Sequence, residues 1–466
     1  MDAALQIGGR VKRLRRSKGL SQAQLAEALD ISASYLNLIE HNRRRMTVPL
    51  LFRIAGHFGV EPGELAESDD GRLVGDLMEV FGDEMFAETP LTNTDIRDFA
   101  ETHPHTARAV LKLFDKVKAL SAPGAAGGEM PASTSQMITE AVSDFLQENG
   151  NYFGTLEAAA ERVHRDMDIG EDGMEPALRA YLANIFGIEV RLASLPHGIA
   201  RRTDPSGRIL EISDVLEAES AAFLIAQHLG RLAAPAEIDA LIEDSALPQP
   251  DAVGLARSAL SSYFAAALLM PYEPFFRACR DMRYDIERVG RRFRTSFEQV
   301  CHRMTTLQRP GMSGIPLHLV RTDIAGNISK RFSLSGIRIP RHTGACPRWN
   351  IYAAFLHPGD INIQISQMPD GQRYFCIAKA ITKGGHRHNA PRRHLSIGLG
   401  CAIERAGEMI YSDGFDLSGR REAVPIGVGC RICPRKGCAQ RAHPPADHRF
   451  MDSDGTRPDN LYMTVD

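Results

Sequence analysis

The residues best suited to chemistry in this sequence are cysteines near its carboxyl end. Cys430, Cys433 and Cys438 fall within nine residues, and Cys401 lies upstream of them. One loop can direct three thiolates at a single point, and a fourth ligand from elsewhere would close the site. The pattern predicts a metal centre with these four cysteines as ligands, holding either zinc or an iron–sulfur cluster, because the spacing suits both. Cys346 is the alternative fourth ligand if Cys401 does not reach the loop.

The number and placement of the cysteines also indicate the compartment. Eight cysteines in 466 residues are too sparse for a disulfide scaffold, and four of them lie in the last 66 residues. In a reducing cytosol such a cluster favours metal or redox chemistry. No stretch approaches the roughly 18 apolar residues of a membrane span, and the first residues lack the pattern of a secretory signal. We therefore expect a cytoplasmic protein that does not contact a membrane.

Charge is distributed unevenly along the chain. The formal net charge is only −3, yet residues 1–60 carry ten basic side chains against four acidic ones. A local excess of this kind indicates contact with phosphates at the amino-terminal end. The same region predicts five short helices between residues 5 and 66. Two of them, 22–29 and a helix that Ser32 caps, are joined by a tight turn.

These two helices, Leu20–Leu29 and Ile31–Glu40, resemble the helix-turn-helix of the XRE (lambda-repressor-like) family. In a helix-turn-helix the second helix enters the major groove, and basic residues after it contact the DNA backbone. We therefore expect a double-stranded DNA operator as partner, read by Gln22, Ser32, Ser34, Tyr35, Asn37, His41, Asn42, Arg43 and Arg44.

A helix in the middle of the chain, within residues 215–233, is similar to the active helix of the ImmA/IrrE-like family, where H-E-x-x-H is expected. Alignment on Leu229-Gly230 places Gln227, His228 and Arg231 at the His, Glu and His positions. Zinc requires two imidazoles one helical turn apart, and an arginine there repels a cation. We expect a scaffold without peptidase chemistry, and no catalytic residue is predicted. The protein is predicted not to be an enzyme.

The carboxyl-terminal region carries further phrases. They are Val320–Arg331, Cys346–Asn350, Met368–Phe375, Gly398–Cys401 and Gly429–Ala442. Together with the order of the preceding regions, they resemble the short-chain fatty acyl-CoA regulators (ScfR family), which include propionate-metabolism regulators. The resemblance implies transcriptional control of short-chain acyl-CoA metabolism, with an acyl-CoA such as propionyl-CoA as effector. It also favours a [4Fe–4S] cluster over Zn²⁺.

The residue chemistry suits such a ligand, because an acyl-CoA carries a 3′-phosphate and a pyrophosphate that need cations. Residues 376–394 hold five basic side chains and no acid, and a second basic cluster lies on residues 321–331. A short acyl tail needs a small apolar pocket with a polar lip. The predicted acyl-CoA residues are Tyr263, Met270, Tyr272, Arg321, Lys330, Arg331, Lys379, Lys383, Arg387, Arg392 and Arg393.

The predicted fold is a multidomain chain with an all-α XRE helix-turn-helix, a mostly helical ImmA/IrrE-like middle and a mixed α/β carboxyl-terminal region that includes the Cys-rich site. Its predicted boundaries are 1–70, a helical connector 71–120, a linker 121–135, then 136–310 and 311–466. We expect a homodimer or a higher homo-oligomer, because symmetric pairs of helix-turn-helix domains read palindromic sites. Two alternatives stay open. One is a zinc metallopeptidase fused to a repressor, and the other is a redox or iron sensor in which the cysteine centre is the switch.

Overall fold

The computed structural model describes residues 11, 15, 22–40, 46–58, 70–86, 91–121, 132–170, 173–245, 247, 250–341, 344–384, 391–418, 423–444 and 462. The chain divides into two units, Met1–Leu113 and Phe114–Asp466. Each unit is treated by itself below. The predicted linker 121–135 lies mostly outside the described residues.

Short amphipathic helices form the first unit. The helices are α1 (Gln22–Ala28), α2 (Ala33–Glu40), α3 (Val48–Phe58), α4 (Asp70–Phe81), α5 (Asn93–Thr102) and α6 (Pro104–Ser121), which continues past the division of the chain. Leu25, Leu36, Ile39 and Ile54 are fully buried or nearly so and form the core between α1, α2 and α3. Their spacing of three and four residues places them on one face of each helix.

The first part of the second unit, up to residue 304, is mostly α-helical. Its helices are α7 (Ala132–Glu148), α8 (Gly154–Asp166), α9 (Met174–Phe186), α10 (Ala218–Ala233), α11 (Pro235–Glu243), α12 (Pro250–Leu269), α13 (Tyr272–Asp281), α14 (Ile286–Phe293) and α15 (Phe297–Met304). A three-stranded sheet interrupts them, with order β1-β3-β2 over Glu189–Ala193, Ile209–Ser213 and Arg201–Thr203. Strand β2 is the shortest of the three, with only three residues.

Helix α12 is the one described helix that is long and apolar enough to cross a membrane, with a mean hydropathy of 1.4. Here 61% of that apolar window is buried inside the protein. Leu260, Phe264 and Leu268 are fully buried in the core that α12 shares with α8 and α10. Its composition is therefore explained by burial on several faces.

A buried ion pair connects the beginning and the end of this helical layer. Arg303 of α15 and Glu157 of α8 are 0% and 1% exposed, and two hydrogen bonds of 2.6 and 2.9 Å join them. Arg303 also donates to the carbonyl oxygen of Met270 at 3.0 Å. Two charges can stay in the interior only when their hydrogen-bonding capacity is met in this way.

After two short paired strands, β4 (Gln308–Arg309) and β5 (Met312–Ser313), the chain forms a six-stranded sheet in the order β11-β8-β9-β10-β6-β7. Its strands are β6 (Leu317–Asp323), β7 (Ile328–Ser333), β8 (Ile361–Gln367), β9 (Arg373–Gly384), β10 (Arg392–Ala402) and β11 (Val424–Pro425). The short helix α16 (Asn350–Ala353) and 3₁₀ turns at 354–356, 403–408 and 410–412 lie around it. Residues 336–340 connect β7 to the next segment without forming a regular strand.

Alternating side chains give this sheet two different cores. Leu319, Ile377 and Leu399 belong to the core that faces α13, α14 and α15. Val320 and Cys376 belong to the core on the other face, where α16 lies. Because successive side chains of a strand point to opposite faces, a shift of one residue moves a group from one core to the other.

We predict that Arg303→Met destabilises the second unit strongly, because Glu157 would stay buried without a partner. The free energy of unfolding should fall by about 3–5 kcal/mol. Trp349 is the single tryptophan and is 6% exposed within this unit, so its fluorescence during denaturant titration measures the change. Arg162→Gln is the control, since its salt bridge with Glu237 is solvent-exposed and should contribute no more than about 1 kcal/mol. Equal losses for the two variants would contradict the role given to the buried pair.

Candidate functional site

Helix α2, the second helix of the predicted helix-turn-helix, begins as the sequence predicted. The hydroxyl oxygen of Ser32 accepts a hydrogen bond from the backbone N–H of Tyr35 at 3.1 Å, which satisfies one free donor in the first turn of α2. The turn before it is tight, with Asp30 at φ 53°. Arg53 of α3 donates to the carbonyl oxygen of Leu29 at 2.8 Å and so supports that turn.

The other predicted DNA contacts are placed only in part. Ser32 is exposed, whereas Gln22 and Tyr35 are half-buried. Ser34 and Asn37 lie on α2, but their side chains are outside the described part of the chain. The remaining predicted contacts lie outside the described residues: His41, Asn42, Arg43 and Arg44.

The structure does not bring Cys401 to the other predicted metal ligands. Cys401 is on β10, fully buried in the core that faces α15, and its sulfur lies 3.9 Å from that of Met409. Its register partner on β9 is Phe375, in the same core. Cys346 belongs to the core on the opposite face of the sheet. Strand alternation therefore removes Cys401 from the site.

Cys346 takes its place beside the carboxyl-terminal loop. Its backbone N–H donates to the carbonyl oxygen of Val428 at 3.1 Å. Burial raises the pKa of the Cys346 thiol, while hydrogen bonding from the backbone N–H groups of Arg348 and Gly427 opposes the rise. Thiols 430 and 433 are near enough to act electrostatically on that of Cys346.

Two identical tripeptides build this arrangement. Residues 346–348 and 433–435 both read Cys-Pro-Arg. In each, burial raises the pKa of the cysteine thiol, and a hydrogen bond from the backbone N–H of the arginine two residues later opposes the rise. Gly427 lies between the two tripeptides. A Cβ at this position would come within 2.7 Å of the Cys433 sulfur, so a side chain does not fit here. The repeat is visible in the sequence, and it is the signal that could have pointed to Cys346 as the cysteine beside the carboxyl-terminal loop.

Arg441 holds the loop around these cysteines. Its side chain donates to the carbonyl oxygens of Cys430, Cys433 and Arg435 at 2.6, 2.9 and 2.6 Å. Only 4% of Arg441 is exposed. The backbone N–H of Ala442 donates to the Cys430 sulfur at 3.3 Å. The N–H donors and the buried Arg441 cation favour the thiolate and oppose burial, which on balance raises the pKa of Cys433.

These donors fit a thiolate-ligated centre in kind. In the ranges that the structure describes, no three Cys, His, Asp or Glu side chains converge closely enough to hold a metal ion. Cys430, Cys433 and Cys438 are half-buried free thiols. A bound centre would therefore have to draw the sulfurs of this loop together.

Three of the predicted phosphate-binding cations lie close together on the α15 face of the sheet. Arg321 of β6 donates to Glu298 of α15 at 2.7 Å, and Lys383 of β9 also contacts this carboxylate. Lys330 of β7 pairs in register with Arg321. We call Glu298, His302, Arg321, Lys330 and Lys383 the Glu298 cluster.

The electrostatics of the Glu298 cluster leave it positively charged. Burial raises the pKa of Glu298, but His302 and Lys383 lower it by more, so the carboxyl is ionised. Burial lowers the pKa of His302 to about 4, which keeps this imidazole neutral at pH 7. Burial lowers the pKa of Lys330 to about 8, with Glu298 opposing the shift and the neighbouring cations adding to it. Three cations therefore surround one carboxylate.

The other predicted cations are dispersed. Lys379 lies on the same face and is paired with Glu287 at 2.6 Å. Arg331 contacts Glu140 of α7 on the opposite side of its strand. Arg392 and Arg393 are exposed at the start of β10, and Arg393 is the register partner of Lys383. Arg387 is outside the described residues.

The predicted acyl pocket is replaced by core packing. The Tyr263 hydroxyl donates to Glu157 at 2.6 Å, and that of Tyr272 donates to the Met312 carbonyl oxygen at 3.0 Å. Met270 is fully buried. The hydroxyl groups of Tyr263 and Tyr272 thus have hydrogen-bond partners near the Arg303–Glu157 pair. The side chains of the predicted acyl pocket belong to the core instead. A cavity beside Trp349 has about 20 Å³ of free space, which is room for about one water molecule.

Comparisons with known proteins agree with this architecture. The chain matches the family described as short-chain fatty acyl coenzyme A regulator, C-terminal, over residues 306–462. It also matches the IrrE N-terminal-like domain over 183–305 and a helix-turn-helix over 11–65.

The similarity to known regulators extends over nearly the whole length of the chain. The chain is 38% identical over 460 residues to the HTH-type transcriptional regulator RamB of Mycobacterium tuberculosis, which covers 97% of each. It is 35% identical over 454 residues to the propionyl-CoA carboxylase regulator of Cereibacter sphaeroides, which covers 97% of this chain and 96% of that one. A solved Mycobacterium tuberculosis transcriptional regulator, 39% identical, superposes with a TM-score of 0.67 over 70% of this chain and 100% of its own.

A helix-turn-helix followed by an IrrE-like helical domain and a sheet domain defines a class of DNA-binding transcriptional regulators. Within that class, the chain belongs to the short-chain fatty acyl coenzyme A regulator family. The recognition made from the sequence motifs is thereby confirmed.

We predict that Arg441→Gln opens the cysteine loop. The variant loses hydrogen bonds from a charged donor, each contributing about 1.5–3 kcal/mol. Alkylation of Cys430 and Cys433 by iodoacetamide, followed by mass spectrometry, should accelerate at least about tenfold. Arg431→Gln removes the same charge from the same loop and should leave the rates within about twofold. Unchanged rates in Arg441→Gln would show that this side chain does not hold the loop.

Proposed function

We propose that this regulator binds a short-chain acyl-CoA of the propionyl-CoA type and that binding changes its affinity for a DNA operator. The Glu298 cluster carries the proposal, because three cations surround a single carboxylate on one face of the sheet. The cysteine loop would hold a metal centre. The protein would act in the cytoplasm as a homodimer or higher oligomer on palindromic DNA.

The ligand chemistry matches the charge of this cluster. The 3′-phosphate and pyrophosphate of coenzyme A are multiply anionic and need several cations at once. In the Glu298 cluster the carboxylate orients Arg321 and Lys383 and leaves a net positive charge for the ligand. Lys379 and Arg393 extend the basic surface along β9 and β10.

Strand β7 supplies a route from this cluster to the helix that follows the linker. Lys330 and Arg331 are consecutive, so their side chains point to opposite faces. Lys330 is in the Glu298 cluster, whereas Arg331 contacts Glu140 of α7. The side chain of Gln147, also on α7, donates to the Ser333 carbonyl oxygen at 2.7 Å and accepts from the Ser333 N–H at 2.9 Å. A ligand that moves β7 would therefore act directly on α7.

A second ion pair strengthens the attachment of α7. Arg341 donates to both carboxylate oxygens of Asp144 at 3.0 and 2.8 Å. Bidentate arginine–carboxylate pairs fix orientation as well as distance. Helix α7 begins at Ala132, within the predicted linker 121–135, so its position bears on the chain that leads to the helix-turn-helix. A coupling of about 1–3 kcal/mol would change operator affinity 5- to 150-fold.

For the metal centre, we propose Cys346, Cys430, Cys433 and Cys438 as ligands, with Cys401 excluded by its place in the other core. A [4Fe–4S] cluster remains the expected group, with Zn²⁺ as the alternative. When bound, it would cross-link the carboxyl-terminal loop to the turn at Cys346 and supply electron-transfer or purely structural chemistry. If the centre is the switch, oxidation in place of acyl-CoA would control DNA binding.

We predict that propionyl-CoA changes operator affinity of the wild-type protein by at least about fivefold. Lys383→Gln should raise the propionyl-CoA concentration needed for half of this change about tenfold, because one cation near a phosphate is lost. The response should also weaken as the pH rises through about 8, where Lys330 loses its charge. Titration of a fluorescent operator by anisotropy measures all three.

Arg392→Gln is the matched control for that titration. It removes the same charge from β10, but its register partner is Gly384, so its side chain points away from that of Arg393. Its half-maximal concentration should stay within about twofold of wild type. An operator affinity that never responds to propionyl-CoA would rule out the effector, and equal shifts in both variants would rule out the Glu298 cluster as its site.

We predict that Cys346→Ser and Cys433→Ser both lose the metal centre, whereas Cys401→Ser keeps it. Anaerobic purification, metal analysis and visible absorbance distinguish the outcomes, since an iron–sulfur cluster is brown and a zinc site is colourless. Loss of metal in Cys401→Ser together with retention in Cys346→Ser would overturn this choice of ligands.

A further inference from the structure

Helix α10 presents an unusual set of side chains where a zinc peptidase of the IrrE-like type would bind its metal. Gln227 and Arg231 stand at the two histidine positions, with His228 between them. Arg201, on the short strand β2, faces this turn of the helix. Its guanidinium donates to the Leu224 carbonyl oxygen at 3.1 Å and to the Gln227 side-chain oxygen at 3.3 Å.

The orientation of Gln227 is fixed from its other end. Its amide nitrogen donates to the hydroxyl of Ser262 at 2.7 Å. The amide oxygen is therefore directed at Arg201, and both partners of this guanidinium are neutral acceptors. An arginine that is half removed from solvent without a counterion is unfavourable unless something anionic completes its surroundings.

No acidic side chain among the described residues balances this positive charge. The charged group acting on Arg201 is Arg231, and those acting on His228 are the same two arginines. Burial first, and then these arginines, lower the pKa of His228 to about 4, so the imidazole is neutral at pH 7. Its Nε2 atom is buried and has no hydrogen-bond partner within the described chain.

Neighbouring arginines of the same domain behave differently. Arg202, the next residue on β2, is paired with Glu211 at 2.7 Å. Arg257 contacts Asp239 on α11. Arg202 and Arg257 thus have carboxylate partners, and this contrast marks Arg201 and Arg231 as a place for an external anion.

We propose that Arg201, His228 and Arg231 form an oxyanion site that binds a phosphate group. The two guanidiniums supply charge and the Nε2–H tautomer of His228 supplies a neutral donor, which together match the oxygens of a phosphate. The vacated position of a metal cation would thereby have become a position for an anion. This site is separate from the Glu298 cluster and does not depend on the proposed effector or on DNA binding.

The phosphate has two possible sources, free inorganic phosphate and a phosphate ester of a nucleotide. Titration of the full-length protein with inorganic phosphate at constant ionic strength, followed through the imidazole NMR signal of His228, measures the first directly. Adenosine 5′-monophosphate, which lacks the 3′-phosphate of coenzyme A, added afterwards measures the second by competition. Saturable movement of the His228 signal is expected, and displacement identifies an ester as the preferred ligand, whereas no displacement identifies free phosphate.

Variants separate this site from general attraction to positive charge. Arg231→Gln, at an exposed position, should weaken phosphate binding at least about fivefold. Arg202→Gln removes the same charge one residue from Arg201 but on the other face of β2, and should leave binding unchanged. A His228 signal that phosphate does not move, or equal weakening in both variants, would overturn the proposal. Because DNA is absent from this experiment, its failure would not bear on the effector claim.

Discussion

The alternation of side chains across the six-stranded sheet is the constraint on which the rest of the structure depends. Each strand presents successive residues to two different cores. Lys330 therefore faces α15 while Arg331 reaches α7, although they are adjacent in sequence. For the same reason Cys401 is buried against Met409, away from Cys346. One register decides both which cations can share an anion and which sulfurs can share a metal.

The two faces are held differently, and this difference suits a sensor. On the α15 face, Glu298 gathers charges that a ligand could rearrange, because three cations compete for one carboxylate. On the other face, Arg441 fixes the cysteine loop through three backbone carbonyl groups. The Arg303–Glu157 pair joins α15 to α8 in the buried interior of the same unit. A rigid base with an adjustable charged surface is able to convert binding into a small displacement.

Much of the architecture follows from local pattern. The cap at Ser32 and the apolar spacing of α1 and α2 predict the helix-turn-helix, because capping and helical periodicity are properties of neighbouring residues. The close spacing of Cys430, Cys433 and Cys438 predicts a common loop for the same reason. Whether Cys401 or Cys346 joins them depends on strand pairing between distant segments, which spacing does not encode. The repeated Cys-Pro-Arg would have pointed to Cys346.

The two tyrosines of the predicted acyl pocket show the same limit of prediction from local sequence. The resemblance to acyl-CoA regulators predicted that Tyr263 and Tyr272 line an apolar pocket, but Arg303 lies in the interior and takes the groups around them as its polar surroundings. Glu157 precedes Arg303 by 146 residues, and no local pattern connects them. Long-range pairing of buried charges is set by the whole fold. Local sequence therefore could not show that both tyrosine hydroxyls have hydrogen-bond partners inside the protein.

A ligand bound at the Glu298 cluster should act on α7 through β7. Hydrogen–deuterium exchange of the full-length protein, with and without saturating propionyl-CoA, measures this coupling. We expect amide exchange within residues 138–148 and 328–333 to change on binding, and Arg331→Gln to abolish the change in the first segment while leaving propionyl-CoA binding intact. Saturable binding with unaltered exchange in both segments would contradict it.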